Sequence, residues 1–515
     1  MLKIKRINLY FLIIIVAAFV AGCSKNFINS VKPTDSATAD QVYSSPASVR
    51  IYFNGIYRQL RNQWQSIESA TTNGTPAAGG STDTWGYNSI MMARDVKGKD
   101  IIMPYNSWYY FDYEQVNREP TYRRVKFVWY FFYEIINQVN TLIDGTIKSP
   151  TITADQKTPL LAEARALRAY LYFELAREFQ FTLLKDPNAP GVPYYSQPAT
   201  ANNLTGKPRG TMQQLYDSIN NDLLFATANL TADRSSKSQI NLNVAEGMAA
   251  RIYLEEGRWA DADAAAAKAV DGLTLDATGY PNNYNGLTSS EVIWGFPQTI
   301  QNGGQSLYYG TPSSFFDQTG AGYDAFWISR ELADHFSNTD IRNTFYVYNS
   351  NNDSTAPDYL ATNKFGTGSG NPIPLITGQT VDQKTIDFNE SLNMMRVGEM
   401  YLISAECKAR QNDAAAATVL FQLQSNRDPG AVASGKTGPG LIDEILLERR
   451  KELYGELGID WLDAKRLQLP IDRSNSNHPA PNNFVIPAND PGFNLKIPQA
   501  EIQANKSMSP ADQNP

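Results

Sequence analysis

Apolar residues recur at spacings of three and four over much of the chain, a pattern that predicts a mainly α-helical fold. The clearest run extends from about Ala154 to Phe181 and forms one apolar stripe, made by Leu160, Ala164, Leu167, Leu171 and Leu175. A helix from about Arg123 to Asp144 is predicted before it, with Gly145 as its stop signal. Thr211 is a candidate N-cap for a third helix.

Two helical hairpins with small residues at their contact are predicted further along the chain. The first turns at Gly257, between a helix over residues 245–254 and an Ala-rich helix over residues 259–270, and the second turns at Asn412. Small residues let antiparallel helices approach closely, and the arrangement resembles the tetratricopeptide repeat. Any hairpin with alanines at its contact shows the same pattern. Because no repeat period is regular along the chain, we expect separate repeat hairpins divided by insertions.

Two long stretches lack a helical period. Residues 66–120 and 275–385 are rich in Gly, Asn, Ser, Thr and Tyr. Loops of this length in a compact domain usually carry function or contain small elements of their own. We therefore expect loop-rich insertions within a single helical domain that covers residues 39–515.

The N-terminus has the layout of an export signal. Basic residues at positions 3, 5 and 6 precede an apolar run over residues 9–20, which is shorter than the roughly 20 residues of a membrane-spanning helix. The run ends in Val-Ala-Gly-Cys and resembles a bacterial lipoprotein signal, in which a lipid is attached to Cys23. Residues 1–22 would then be removed, and residues 23–38 would form a lipidated tether. An ordinary secreted protein is the alternative.

Composition excludes some classes of partner and site. The formal net charge is −7 and no polybasic run follows the leader, so nucleic acid is not expected as a partner. Apart from Cys23, the chain contains one cysteine, Cys407, which lies in an apolar helical pattern and is predicted to be a core residue.

Few residues carry recognisable catalytic chemistry. His335 and His478 are the histidines of the chain, too few for a zinc site built from His and Cys ligands. No nucleophile-elbow, phosphate-loop or zinc-protease motif occurs. We expect no catalytic residues, no cofactor and no metal site. A carboxylate pair for glycoside cleavage stays open, because such pairs form in space.

The charged motifs of the C-terminal third are interpreted as structural. Glu448, Glu452 and Glu456 are spaced by four and alternate with basic residues, which is typical of ion pairs along and between helices. The same role is predicted for Arg165, Arg168, Arg396 and Glu399.

Five segments match the motifs of one family in the same order. Residues 162–170 are similar to its A-E-A-R-x-L-R-A helix, and residues 208–223 to its P-R-x-T…Y-x-x-I-x-x-D-L segment. Residues 396–406 are similar to R-x-x-E-x-x-L-I-x-A-E, residues 448–466 to the E-R-R-x-E-L and R-W-x-D-x-x-R motifs, and residues 497–515 to the tail that ends in Gln-Asn-Pro. A chain with these motifs in this order after a lipoprotein signal resembles the SusD/RagB family of Bacteroidetes outer-membrane lipoproteins.

Two positions depart from the family pattern. Asp460 stands where Arg is common, with one extra residue before Trp461, so a charge pair there is expected to be lost or rearranged. The residues after Cys23 are Ser24 and Lys25, whereas surface-exported relatives tend to carry acidic residues there.

The resemblance implies a function and a cellular location. A SusD-like protein would hang from the outer membrane by its lipid, face the cell exterior, capture oligosaccharides and deliver them to a SusC-like TonB-dependent transporter. Oligopeptide capture, as in the RagB branch, is the nearest alternative. A helical-repeat scaffold for other proteins and a glycoside hydrolase are more distant alternatives.

Aromatic residues in the two insertions are the candidate ligand contacts. Sugar rings have apolar C–H faces that stack on flat aromatic rings, while their hydroxyls bond to polar side chains. The predicted contacts are Trp85, Tyr87, Trp108, Tyr109, Tyr280, Tyr284 and Trp327. Each ring alone is expected to pack a loop onto the helices more often than to bind ligand, but at least one exposed ring is expected. The rings of residues 129–133 are predicted to be mostly core.

Replacing Cys23 by Ala should move the protein from the membrane fraction to the soluble fraction, because the thiol is the predicted site of lipid attachment. Fractionation followed by immunodetection measures this, with Cys407→Ala as the control. An unchanged membrane fraction for Cys23→Ala would reject lipid anchoring.

Overall fold

A computed structural model describes residues 37–61, 82–276, 286–297, 310–318, 322–323, 325–348, 359–366, 371–384 and 391–515. Its helices are α1 (Ala39–Val42), α2 (Pro46–Gln59), α3 (Gly86–Lys97), α4 (Tyr110–Tyr113), α5 (Arg123–Lys148), α6 (Ala154–Phe179), α7 (Met212–Asn229), α8 (Leu242–Glu256), α9 (Trp259–Ala269), α10 (Pro312–Phe316), α11 (Arg330–Ala333), α12 (Val397–Arg410), α13 (Ala416–Arg427), α14 (Gly438–Glu452), α15 (Ile459–Leu467) and α16 (Gln499–Ala504). Its strands are β1 (Ile101–Ile102), β2 (Val292–Phe296), β3 (Trp327–Ile328), β4 (Phe345–Tyr348), β5 (Tyr359–Thr362), β6 (Pro372–Pro374), β7 (Thr380–Asp382), β8 (Leu392–Arg396), β9 (Ile471–Asp472) and β10 (Val485–Ile486). The mainly helical architecture is the one predicted.

The long helices begin where the sequence places their caps. Thr211 accepts a hydrogen bond from the backbone N–H of Gln214, and the Gln214 side chain accepts one from the Thr211 N–H, which closes a capping box at the start of α7. One stop signal was wrong: α5 continues through Gly145 to Lys148. A Cβ on Gly145 would lie 2.1 Å from the Tyr43 ring, so this glycine serves close packing rather than helix termination.

Both predicted hairpins are present. Gly257, in the left-handed region at φ 73°, turns the chain between α8 and α9, and Asn412 at φ 57° turns it between α12 and α13. The hairpins pack on one another through α9 and α12, where Asp263 accepts hydrogen bonds from Ser404 and from the Lys408 ammonium. Small buried residues line the contacts, including Ala262, Ala266, Ala405 and Ala409. The helical scaffold therefore has the expected tetratricopeptide-like geometry.

The two predicted insertions pair with each other. Strand β1, from the first insertion, pairs antiparallel with β3, from the second, and the sheet continues through β5 to β4. Strands β2 and β8 pair antiparallel near the two ends of the second insertion, so the chain leaves and re-enters the helical scaffold at adjacent points. A second hydrophobic cluster fills the space between the insertions, with Met92, Val96, Tyr109, Phe315 and Phe326 among its members.

Helix α3 lies inside the first insertion, where the sequence shows no helical period. Every residue of α3 is buried, from Gly86 to Lys97. A helix that is covered on all sides needs no polar face, and its apolar residues therefore have no reason to recur on one side. Full burial explains why periodicity did not reveal this helix.

The charged motifs form buried ion pairs, as predicted. Glu452, at the end of α14, accepts hydrogen bonds from Arg342, Arg396 and Arg427 at 2.9–3.1 Å. Glu456 accepts from Arg396 and from Lys364. Burial alone would raise the pKa of Glu452, but the three guanidinium groups hold it well below its usual value.

The other predicted ion pairs also join separate helices. Arg165 and Arg168 on α6 pair with Asp222 on α7, and Arg251 on α8 pairs with Glu399 on α12. Cys407 is fully buried in the core, and burial raises the pKa of its thiol to about 12. Within the described ranges, every helix is too short or too polar to cross a membrane.

Replacing Glu452 by Gln should lower the free energy of unfolding by about 3–5 kcal/mol, because three buried guanidinium groups lose their shared counter-charge. Since the folded pKa is depressed, this contribution is present above about pH 4.5 and is lost as the pH falls further. Urea unfolding at neutral pH measures the difference.

The matched control is Asp144→Asn, which removes a surface i,i+4 pair with Lys148 and should cost only about 0.3–0.5 kcal/mol. Equal, small losses for both variants would show that the Glu452 cluster contributes no more than a surface pair.

Candidate functional site

The predicted ligand contacts divide by exposure. Trp108 is 39% exposed, whereas Trp85, Tyr87, Tyr109 and Trp327 are buried and present almost no surface to solvent. Tyr280, Tyr284 and the lipid-attachment residue Cys23 lie outside the described residues.

Each buried ring has a packing role. The Tyr87 hydroxyl lies 2.9 Å from that of Tyr170 in the main core, and Trp327 packs against Tyr359 in the sheet. Tyr109 makes edge contacts with Phe315 and Phe326. Among the described candidates, Trp108 is therefore the ring with a face available for a ligand.

Exposed rings recur along one segment that begins in the first insertion and ends at the start of α5. Tyr105 (43%), Trp108 (39%), Phe111 (55%) and Tyr122 (44%) are exposed large side chains of one short segment. We call this group the 105–122 aromatic surface. The exposed amide of Asn106 lies within it in sequence. Exposed aromatic residues that recur along one short segment make it a candidate interaction site.

The buried partners of these rings fix the surface in place. Tyr109 and Tyr113 are four residues apart and both point into the core, so Trp108 and Phe111 are turned toward solvent. Arg124, on the first turn of α5, binds the Asp112 carboxylate at 3.0–3.3 Å and donates to the carbonyl of Asp83. The segment is therefore anchored on the long helix α5.

A second buried arginine holds the other side of the segment. Arg473 donates to the carbonyls of Val96, Lys97 and Gly98, at the end of α3, and to that of Tyr113. These bonds satisfy carbonyls that a helix C-terminus leaves free. Burial lowers the pKa of Arg473 to about 10, so the guanidinium is charged at neutral pH.

His478 belongs to the same packing. Its Nδ1 lies 2.6 Å from the Tyr113 hydroxyl, its Nε2 lies 2.9 Å from the carbonyl oxygen of Lys99, and its ring stacks on Tyr113. Burial and the Arg473 charge lower the pKa of His478 to about 3. The imidazole is neutral at physiological pH and acts as a packing residue. The described residues contain no group of three or more His, Cys, Asp or Glu that could hold a metal ion.

A short turn at Thr82–Thr84 joins the surface to the second insertion. The Thr82 hydroxyl lies 2.9 Å from that of Tyr323, and the Tyr105 hydroxyl lies 3.5 Å from the Tyr323 carbonyl oxygen. Next to Tyr122, Arg123 donates to the Asp83 carboxylate at 2.9 Å. The turn is therefore linked to the second insertion through Tyr323 and to the start of α5 through Arg123.

The predicted ligand contacts omit three members of the surface. Tyr105, Phe111 and Tyr122 were not among the candidates, although the four-residue spacing of Tyr109 and Tyr113 could have indicated that Phe111 faces away from the core. The polar side chains of Asn88, Arg94 and Asp112, which alternate with these rings in the sequence, are all buried. Arg94 pairs with Glu174 and Glu178.

Comparisons with known proteins identify the family of the chain. A family model described as "Starch-binding associating with outer membrane" matches residues 77–254, and the SusD family model matches residues 375–515. The chain belongs to the SusD/RagB family. A curated relative, a SusD-like protein from Bacteroides ovatus, is 28% identical over 133 residues, a match that spans 25% of this chain and only 22% of that relative's length.

Solved structures show the same fold. A SusD-like carbohydrate binding protein from Bacteroides vulgatus has a TM-score of 0.75 at 22% identity, covering 92% of this chain and 99% of its own. A SusD superfamily protein from Bacteroides thetaiotaomicron has a TM-score of 0.75 at 24% identity, covering 92% of this chain and 100% of its own. The fold of these proteins extends over nearly the whole described chain.

Replacing Tyr109 by Ala should lower the free energy of unfolding by about 3–5 kcal/mol, because a buried ring leaves a cavity beneath the surface. Trp108→Ala, at the neighbouring exposed position, should change it by less than about 1 kcal/mol. Thermal and urea unfolding measure both. A larger loss for Trp108 than for Tyr109 would contradict the described orientation of the segment.

Proposed function

We propose that this protein is a cell-surface lipoprotein that captures oligosaccharides and delivers them to a SusC-like TonB-dependent transporter. The observation that carries the proposal is the 105–122 aromatic surface, with exposed rings on an anchored segment. The family description as starch-binding and outer-membrane-associated supports it, as does the carbohydrate-binding relative from Bacteroides vulgatus.

The physical basis of capture is stacking. The exposed indole of Trp108 and the rings around it offer apolar faces to the C–H faces of sugar rings, and Asn106 offers an amide to their hydroxyls. Because the rings lie on an open surface and are spread along a segment, they suit an extended chain of several sugars. Binding of this kind makes and breaks no covalent bond, so the protein is proposed to act as a carrier and not as an enzyme.

The N-terminal signal completes the proposed mechanism. Lipid on Cys23 would hold the protein at the outer membrane, and residues 23–38 would tether the folded body to it. We propose that the body faces the cell exterior, where it meets oligosaccharides before they reach the transporter.

A panel of oligosaccharides and of peptides, tested by calorimetry on the purified mature protein, examines the ligand class. We expect saturable binding of at least one oligosaccharide, and we expect the ligand to be recovered intact. If peptides bind and no oligosaccharide does, the cargo is an oligopeptide and not a glycan. Cleavage of the bound oligosaccharide would overturn the carrier role.

Trp108→Ala should weaken binding of that oligosaccharide roughly three- to tenfold, the size of one stacking contact. The matched control is Ile147→Ala, which removes an exposed apolar side chain from the end of α5. Unchanged affinity for Trp108→Ala, with the fold intact, would place the ligand elsewhere.

A further inference from the structure

A small cavity lies inside the helical scaffold, where α6, α8, α12, α14 and α15 meet. Its volume is about 30 Å³, which is enough for about two water molecules. Clefts for small organic ligands begin at roughly 300 Å³, so the cavity is far too small for a sugar. Leu254 and Ile403 form part of an apolar wall, and four arginines and four carboxylates also line the space. The formal charges of the wall therefore balance.

Two of the four carboxylates bind arginines of the same wall. Glu399 accepts two hydrogen bonds from Arg251, at 2.6 and 2.7 Å. Asp463 accepts one from Arg449 at 2.9 Å and one from Arg466 at 2.7 Å. Charge-assisted bonds of this kind are strong, and both carboxylates therefore have good partners inside the protein.

Glu255, on α8, is held less completely. Its side chain is 7% exposed, and its Oε1 lies 3.2 Å from Arg177 Nε in an ion pair that is not a hydrogen bond. Arg177 instead donates from Nη1 to Glu174, the fourth carboxylate, at 2.9 Å. Burial raises the pKa of Glu255 by more than the Arg177 charge lowers it. The ion pair therefore offsets only part of what Glu255 loses when it leaves bulk water.

Three buried polar atoms on residues of the cavity wall have no hydrogen-bond partner within the described ranges. One is an acceptor, Oε2 of Glu255, and two are donors, Nε of Arg177 and Nη1 of Arg449. The side chains of Arg177 and Arg449 are 9% and 3% exposed. Leaving a buried charged group without a hydrogen bond is costly, and such groups are normally satisfied by protein or by ordered water.

A second, smaller cavity adjoins the first. Its volume is about 10 Å³, and it shares Arg177, Glu255 and Leu462 with the wall of the larger cavity. Thr182 also lines it, and the buried Thr182 hydroxyl has no hydrogen-bond partner among the described residues. Glu255 therefore borders space on two sides, and polar atoms without partners occur in both walls.

The mixture of donors and an acceptor determines the kind of ligand. A buried water molecule both donates and accepts, and it typically makes about three hydrogen bonds. A chloride ion would suit the two arginines but would be repelled by Glu255. We propose that the larger cavity is a water-binding site, in which ordered water bridges Arg177, Glu255 and Arg449. The water links α6, α8 and α14 inside the scaffold, and the site is independent of the proposed glycan surface.

A high-resolution crystal structure of the mature protein tests the site. We expect water about 2.5–3.2 Å from Glu255 Oε2 and from at least one of Arg177 Nε and Arg449 Nη1. Crystals grown in bromide distinguish water from an anion, because bromide gives an anomalous signal and water gives none. A dry cavity, or an anomalous peak inside it, would overturn the proposal.

Two variants test the role of Glu255. Glu255→Met keeps an unbranched side chain of similar length but removes the acceptor, so the water beside it should be lost. The matched control is Glu255→Gln, which keeps an oxygen acceptor and should retain the water. Water that persists in Glu255→Met, or is lost from Glu255→Gln, would overturn the assignment. Should Glu255→Met not fold, the unaltered protein in bromide and Glu255→Gln decide by the same criteria.

Discussion

The carboxylate of Glu452 lies where the separate parts of the chain meet. Arg342 comes from the second insertion, Arg396 from the strand that closes it, and Arg427 from the end of the last hairpin. The carboxylates of Glu291 and Glu456 also bind guanidinium groups of this cluster. Burying so many charges is costly unless each finds its partner, so the cluster is stable in the arrangement that brings all of its elements together.

That requirement connects the scaffold to the site. Once the second insertion is fixed against α14, its strand β3 can pair with β1 of the first insertion, and Phe315 and Phe326 can cover Tyr109. Arg124 and Arg473, both buried, then hold the segment by donating several hydrogen bonds each to oxygen acceptors. The exposed rings are therefore presented by a rigid base, which reduces the conformational entropy lost when a ligand binds.

Local signals in the sequence were sufficient for the scaffold. Thr211 with Gln214, and Gly257 between two helices, are short-range patterns whose physical meaning does not depend on the rest of the fold. The acidic and basic residues around Glu452 were also correctly interpreted as structural, because charges at that spacing are typical of ion pairs along and between helices. By contrast, Gly145 looks like a helix stop signal in the sequence. In the fold it instead allows close contact with Tyr43, which is distant in the chain.

The site was less predictable because exposure is decided by tertiary contacts. Trp108 and Tyr109 are adjacent and chemically alike, yet one faces solvent and the other fills the core. The spacing of apolar residues does not reveal helix α3, because neighbouring elements cover the helix on all sides.

A crystal structure of the protein with a bound oligosaccharide would locate the ligand site. We expect a sugar ring stacked on the exposed face of Trp108, with further sugars along Tyr105, Phe111 or Tyr122. A ligand bound elsewhere on the protein, with the 105–122 aromatic surface bare, would contradict it.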